Sequence, residues 1–136
     1  PLRPSRFVTK KIVKHVAEIK AGLRNSLSLG NVNIHRDWGW APEYVNAMYL
    51  MLDSSTPDDY IISSGSSNSL KKFVNLAFQY FDLNPEKFIK IDNSFIRPAD
   101  ISYSAMNPKK ILKNLGWKAE KDLDYIVKSM IENKLY

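Results

Sequence analysis

The sequence predicts a mixed α/β fold, with all 136 residues in one region. Three observations predict it. Apolar residues recur at helical spacing in several separate stretches. Between them lie apolar runs of strand length, at 27–29, 60–62 and 88–91. Pro, Gly, Asn and Ser punctuate the joints, and no internal repeat or low-complexity tract interrupts the alternation. The expected total is about five helices and three or four short strands.

Residues 1–6 hold two prolines and no period, so they read as an extended lead-in. From Phe7 onward, Val8, Ile12, Val16, Ile19 and Leu23 step by four, four, three and four, one face of a helix of about five turns. Lys11 borders that face. Gly22 weakens the helix end and Asn25 can close it. Residues 27–29 form a strand, and Gly30 and Asn31 a turn. Arg36 is expected in a loop that leads to a helix at 42–53, with Pro42 in its first turn. Val45, Met48, Tyr49 and Leu52 supply the apolar face of that helix.

Residues 54–59 are polar and read as a loop, and 60–62 (Tyr-Ile-Ile) as a buried strand. Ser67, Asn68 or Ser69 caps a helix whose inner face is Leu70, Phe73, Val74, Ala77 and Phe81. Asn84, Pro85 and Glu86 make a turn, and 88–91 alternate as a strand does. Residues 101–103 are a short extended piece. Asn107 caps a helix with Pro108 in its first position, Ile111, Leu112 and Leu115 face inward, and Gly116 ends it. Asp122 caps the last helix, whose apolar face is Leu123, Ile126, Val127 and Met130.

Composition narrows the function. A hydrophobic share of 44% with 12% aromatics belongs to a folded chain. There is no cysteine, hence no disulfide and no thiolate chemistry, which leads to the expectation of a cytoplasmic protein. No apolar run approaches the ~18–20 residues of a membrane span. A first residue other than Met leads to the expectation of a processed or truncated chain, or of one whose beginning is not included. Charge is uneven: residues 1–36 carry +7 and residues 37–136 carry −1. Such a local positive field draws an anionic partner, whether a nucleotide diphosphate, a nucleic acid or an acidic surface, and the plainer alternative is a solvated basic helix face.

Absent chemistry narrows it further. The glycines Gly22, Gly30, Gly39, Gly65 and Gly116 compose no Gly-x-x-Gly-x-x-Gly phosphate loop. No tyrosine has a lysine four residues later, and no Cys/His cluster has zinc spacing. His15 and His35 stand alone and read as non-catalytic, and the serines from Ser64 to Ser69 as turn and cap residues. Trp38, Trp40 and Trp117 read as packing residues. What remains is a dispersed set of cations: Arg3, Lys11, Arg36 and Arg97. An arginine in such a loop can grip a phosphate or carboxylate with two parallel hydrogen bonds. The plainer alternative is a surface arginine paired with Asp37.

Four stretches, in order, carry a resemblance: Arg-Pro-Ser-Arg-Phe-Val-Thr-Lys-Lys-Ile at 3–12, Arg-Asp-Trp-Gly-x-Ala-x-x-Tyr-Val at 36–45, Phe-Ile-Arg-Pro-Ala-Asp-Ile at 95–101, and Asn-Pro-Lys-Lys-Ile-Leu-Lys-Asn-Leu-Gly-Trp at 107–117. Together they resemble the GDP-mannose 4,6-dehydratases, which are extended short-chain dehydrogenase/reductases, over the carboxyl-terminal part of that family. The resemblance implies a small substrate-binding lobe plus the last Rossmann helix (42–53) and strand (60–63), with the NADP-binding part and the catalytic residues absent from this chain. It implies an NADP-dependent conversion of GDP-mannose to GDP-4-keto-6-deoxymannose in the full-length enzyme, and a homo-oligomer. It assigns Arg3 to NADP, and Val8, Lys11, Arg36, Arg97 and Asp100 to the GDP-sugar. The chain departs from the family pattern at Asp100, where glutamate is usual, at Trp40, where histidine is usual, and at Leu2, where arginine is usual. Two alternatives stand beside this reading. One is a related sugar-nucleotide epimerase, reductase or dehydratase. The other is a small basic nucleic-acid-binding module, disfavoured because Phe7 is the single aromatic in the basic quarter. The leading reading expects no nucleic acid and no membrane as partner.

Overall fold

The computed structural model describes residues 1–96 and 99–133. Arg97, assigned above to the GDP-sugar, lies outside the described residues. The elements run α1 (Val8–Lys20), β1 (Leu27–Leu29), β2 (His35–Asp37), α2 (Ala41–Asp53), β3 (Ser67–Ser69), α3 (Leu70–Tyr80), β4 (Ile89–Ile91), α4 (Lys109–Leu115) and α5 (Leu123–Ile131), with short 3-10 helices at Pro85–Lys87 and Asn93–Phe95.

The main core lies where α1, α3 and α5 meet. Ile12 and Val16 of α1 pack with Phe73 and Phe78 of α3 and with Ile126 and Val127 of α5, all buried. Leu27 and Leu29 of β1 close one side of this cluster. Burying each such side chain contributes roughly 1.5–3 kcal/mol. A smaller cluster joins Ala47 of α2 to Ile111 of α4 and to Trp117, with Tyr44 and Leu50 against it.

Several local signals worked as expected. Ser69 caps α3 by accepting from Lys72 N at 3.1 Å, and Asp122 caps α5 by accepting from Tyr125 N at 2.9 Å. Gly116 ends α4 in the left-handed region at φ +67°. The strand expected at 88–91 is β4, parallel to β1 with Leu27 opposite Ile89.

Others need correction. Helix α1 is shorter than the five turns expected, and Leu23 is exposed. Gly22, at φ +72°, turns the chain left-handed. The amides of Gly22 and Leu23 then close back on the carbonyls of Ile19 and Glu18, a Schellman ending that leaves Leu23 beyond the helix. Arg36 lies on a strand rather than in a loop: β2 pairs antiparallel with β3, Arg36 opposite Asn68. Residues 60–63, expected as the last Rossmann strand, have no ladder partner among the described residues, and Ile61 is half exposed. A strand exists by its neighbour's hydrogen bonds, and apolar composition alone does not supply one. Leu112 of α4 also faces outward rather than inward.

The stripe Val45, Met48, Tyr49 and Leu52 on α2, expected to face the core, is 63%, 53%, 64% and 87% exposed. The helix buries Ala47 instead.

Candidate functional site

Arg36 stands at the centre of β2, where three segments meet. On one side is β3. On the other runs 102–104, held to β2 by His35 N donating to Ser102 O at 2.8 Å and Ser104 N donating to His35 O at 3.1 Å. The Ser67 hydroxyl adds a bond to Ser104 O at 2.7 Å, and the His35 and Tyr103 rings lie 5.6 Å apart. Pinning 102–104 here brings Asp100 and Ile101 to the Arg36 side chain.

The guanidinium is well engaged. Nη1 donates to His35 O at 2.8 Å and to Ile101 O at 2.5 Å, and Nη2 donates to Asp100 Oδ1 at 2.7 Å. Three of its five N–H groups are thus used and two remain. The Arg36 and Asp100 side chains keep 26% and 33% exposure, so the pair is partly open to solvent. The partner is Asp100, not Asp37.

Lys11 reaches the other end of the same segment. Its ammonium donates to Ser28 O at 2.8 Å and sits 4.1 Å from the centre of the Phe95 ring. Gly30 lets this corner close, because a Cβ there would meet the Phe95 carbonyl at 2.8 Å. Arg3 lies over the Phe7 ring at 4.8 Å. Val8 opens α1 and is partly exposed. No hydrogen bond joins Arg3 or Val8 to the Arg36 group among the described residues. The structure therefore brings Arg36 and Asp100 together, sets Lys11 against Phe95, and joins neither Arg3 nor Val8 to them by a hydrogen bond among the described residues.

The residues after Arg36 are a framework that the sequence reading missed. Asp37 accepts from Ser64 N at 3.0 Å and Gly65 N at 2.9 Å, one amide on each carboxylate oxygen. Tyr44 approaches the same carboxylate at 3.5 Å. Burial, and then the Asp37 charge, push the Tyr44 phenol up to about 12. Gly39 makes room for that ring: a Cβ there would collide with Tyr44. Trp38 packs on Phe73, and Trp40 edge-on to Tyr125, each at 5.6 Å. Glu43 bolts the chain beyond α4. Its carboxylate accepts from Glu120 N at 2.9 Å and Lys121 N at 3.2 Å, and its carbonyl accepts from the Trp117 indole at 3.1 Å. A lone Asp or Glu gives no sequence signal of such partners, which lie 27 and 77 residues away.

His15 lies on α1, half-buried. Burial, and then the Arg24 charge, lower its pKa, and its Nδ1 is buried without a partner. Among the described residues no group of His, Cys, Asp and Glu can hold a metal, and no helix is long and apolar enough to cross a membrane.

Comparison with known proteins agrees with this architecture. The model of the family described as GDP-mannose 4,6 dehydratase matches residues 1–130. GDP-mannose 4,6 dehydratase 1 from Arabidopsis thaliana is 38% identical over 135 residues, 99% of this chain and 37% of that protein. GDP-mannose 4,6 dehydratase from Dictyostelium discoideum is 36% identical over 148 residues, 96% of this chain and 42% of that protein. Among solved structures, RMD from Pseudomonas aeruginosa complexed with NADPH is similar with a TM-score of 0.87 and 19% identity, over 98% of this chain and 44% of that one. The fold is thus the α/β arrangement expected for the carboxyl-terminal part of an extended short-chain dehydrogenase/reductase. The chain spans about two-fifths of the length of the curated relatives it matches.

Proposed function

This chain belongs to the GDP-mannose 4,6 dehydratase family, and from that premise we propose that it supplies the part of an NADP-dependent dehydratase that binds and orients a GDP-sugar. The reaction in the full-length enzyme oxidises C4 of the mannose, removes water across C5 and C6, and returns the hydride to C6. NADP would supply the hydride acceptor and donor. Arg3 suits contact with it: the guanidinium makes no hydrogen bond among the described residues and lies exposed beside Phe7.

The observation that carries the reading is the meeting of Arg36 and Asp100, 64 residues apart in sequence and 2.7 Å apart in space. An arginine with two free N–H groups beside an acceptor is what a nucleoside diphosphate needs. The guanidinium takes a phosphate, and the carboxylate takes a sugar hydroxyl or a guanine N–H. Lys11 keeps a third ammonium proton for the same anion, and Val8 offers apolar surface to the nucleoside. Arg97 is assigned by the resemblance as the second arginine on the diphosphate. The exposed stripe of α2 and the unpaired 60–63 segment would be covered by the NADP-binding part, and the full-length enzyme would be a homo-oligomer.

Calorimetric titration of GDP and UDP into the chain tests the site. Arg36→Lys keeps the charge but loses the fork, and GDP affinity should fall about ten- to hundredfold. Wild-type affinity in that variant would remove Arg36 from the site. Preference for UDP over GDP would move the reading to a related sugar-nucleotide epimerase, reductase or dehydratase. With GDP-mannose and NADP added, the 136-residue chain should form no keto-sugar.

A further inference from the structure

Two different kinds of partner hold the Arg36 guanidinium. The His35 and Ile101 carbonyls take Nη1 and fix the orientation of the plane. They are neutral and leave its charge intact. Asp100 on Nη2 is the one ion-pair partner among the described residues, and it cancels that charge. Since two backbone carbonyls already aim the guanidinium, the carboxylate is not needed to orient it. Its effect on an incoming anion is opposition, because the anion meets an ion pair rather than a bare cation.

Two N–H groups stay open to any anion, but a simple anion meets the full charge of Arg36 only by stripping Asp100 away, and it gives the freed carboxylate nothing in return. A nucleoside diphosphate also brings hydroxyl and ring N–H donors, and a displaced carboxylate can accept from these. Granting that this is the diphosphate site proposed above, we propose that Asp100 is a specificity-determining residue. It occupies Arg36 until a nucleoside diphosphate displaces it, and so discriminates against inorganic phosphate and pyrophosphate. Discrimination here works by penalising the wrong ligand as well as by rewarding the right one.

The test is titration of inorganic pyrophosphate and of GDP into the chain and into Asp100→Asn and Asp100→Ala, with thermal melts to establish that each variant is folded. Pyrophosphate should bind about tenfold tighter to both variants, the scale of one charge-assisted bond no longer contested. GDP should bind no tighter, so that the preference for GDP over pyrophosphate falls by about tenfold or more. Pyrophosphate affinity that is unchanged or weaker in both variants, with wild type still binding GDP, overturns the competition. GDP and pyrophosphate tightening by the same factor overturns the specificity, since Asp100 would then be only a brake on all anions. If wild type and variants bind neither ligand, the site assignment itself has failed and this inference with it.

Discussion

Helices α1 and α2 are each 13 residues long and each carries an apolar repeat at helical spacing, yet their fates are opposite. In α1 the repeat is buried: Ile12, Val13, Val16 and Ile19 lie between α3 and α5, while Lys14 faces solvent. In α2 the repeat of Val45, Met48, Tyr49 and Leu52 faces out, and a second, thinner seam of Tyr44, Ala47 and Leu50 does the packing. The difference lies in the rest of each wheel. Charged residues fill the far side of α1, whereas α2 is apolar nearly all round, with Glu43, Asn46 and Asp53 its clearly polar positions. A helix of that kind needs cover on both sides. An apolar period states that a face will be covered. It does not state that the cover is in the same chain.

The largest effect is expected at α1. Ile12 is fully buried, and Ile12→Ala should cost about 2–5 kcal/mol, read as a lower urea midpoint. A loss under about 1 kcal/mol would mean that α1 is no better packed than α2.

Tyr44 probes the inner seam of α2. Its phenol titrates near 12 in the folded chain against an unfolded value of 10, so the native state holds that proton more tightly. The seam's contribution is therefore complete below pH 10 and declines as pH rises towards 12. The phenol is partly exposed, which limits the loss to roughly 1 kcal/mol. Urea midpoints at pH 9 and pH 11.5 should differ in wild type and differ less in Tyr44→Phe. An equal pH slope in both proteins would assign the effect to another group.

The smallest effect on stability is expected on the outer face of α2. Met48→Lys with Leu52→Lys should move stability by no more than about 0.5 kcal/mol per site, since neither side chain is packed. Light scattering is the sharper readout. The wild-type chain should self-associate through the exposed stripe, and the double variant should not. Equal association in the two would relieve α2 of responsibility.

The helices were legible because their signals are local. The caps at Ser69 and Asp122 and the left-handed Gly116 act within a few residues of where they stand. Strand pairing was not legible in the same way. β2 and β3 read His-Arg-Asp and Ser-Asn-Ser, with no β-branched or apolar residue among them, and are strands because they meet. Residues 60–62 have the composition of a strand and no ladder neighbour among the described residues. In the candidate site, Arg36 stood out as a cation before a helix start, and Asp100 was named by resemblance alone. That Arg36 pairs with Asp100 rather than Asp37 depends on the 102–104 segment docking beside His35, a long-range event that spacing along the chain does not encode.

Strand β2 gives the Arg-Asp-Trp-Gly string a double meaning. Successive side chains of a strand leave by opposite faces. Arg36 accordingly goes to Asp100, while Asp37 goes to the amides of Ser64 and Gly65. Trp38 and Gly39 then serve the packing around Phe73 and Tyr44. Three of the four letters thus spell a clasp, and the fourth reaches Asp100. A protein could exchange the arginine, give up the pairing with position 100, and still match the string almost in full. Pattern searches built on these letters retrieve the scaffold first, and the pairing of position 36 with position 100 is the better query for the proposed site.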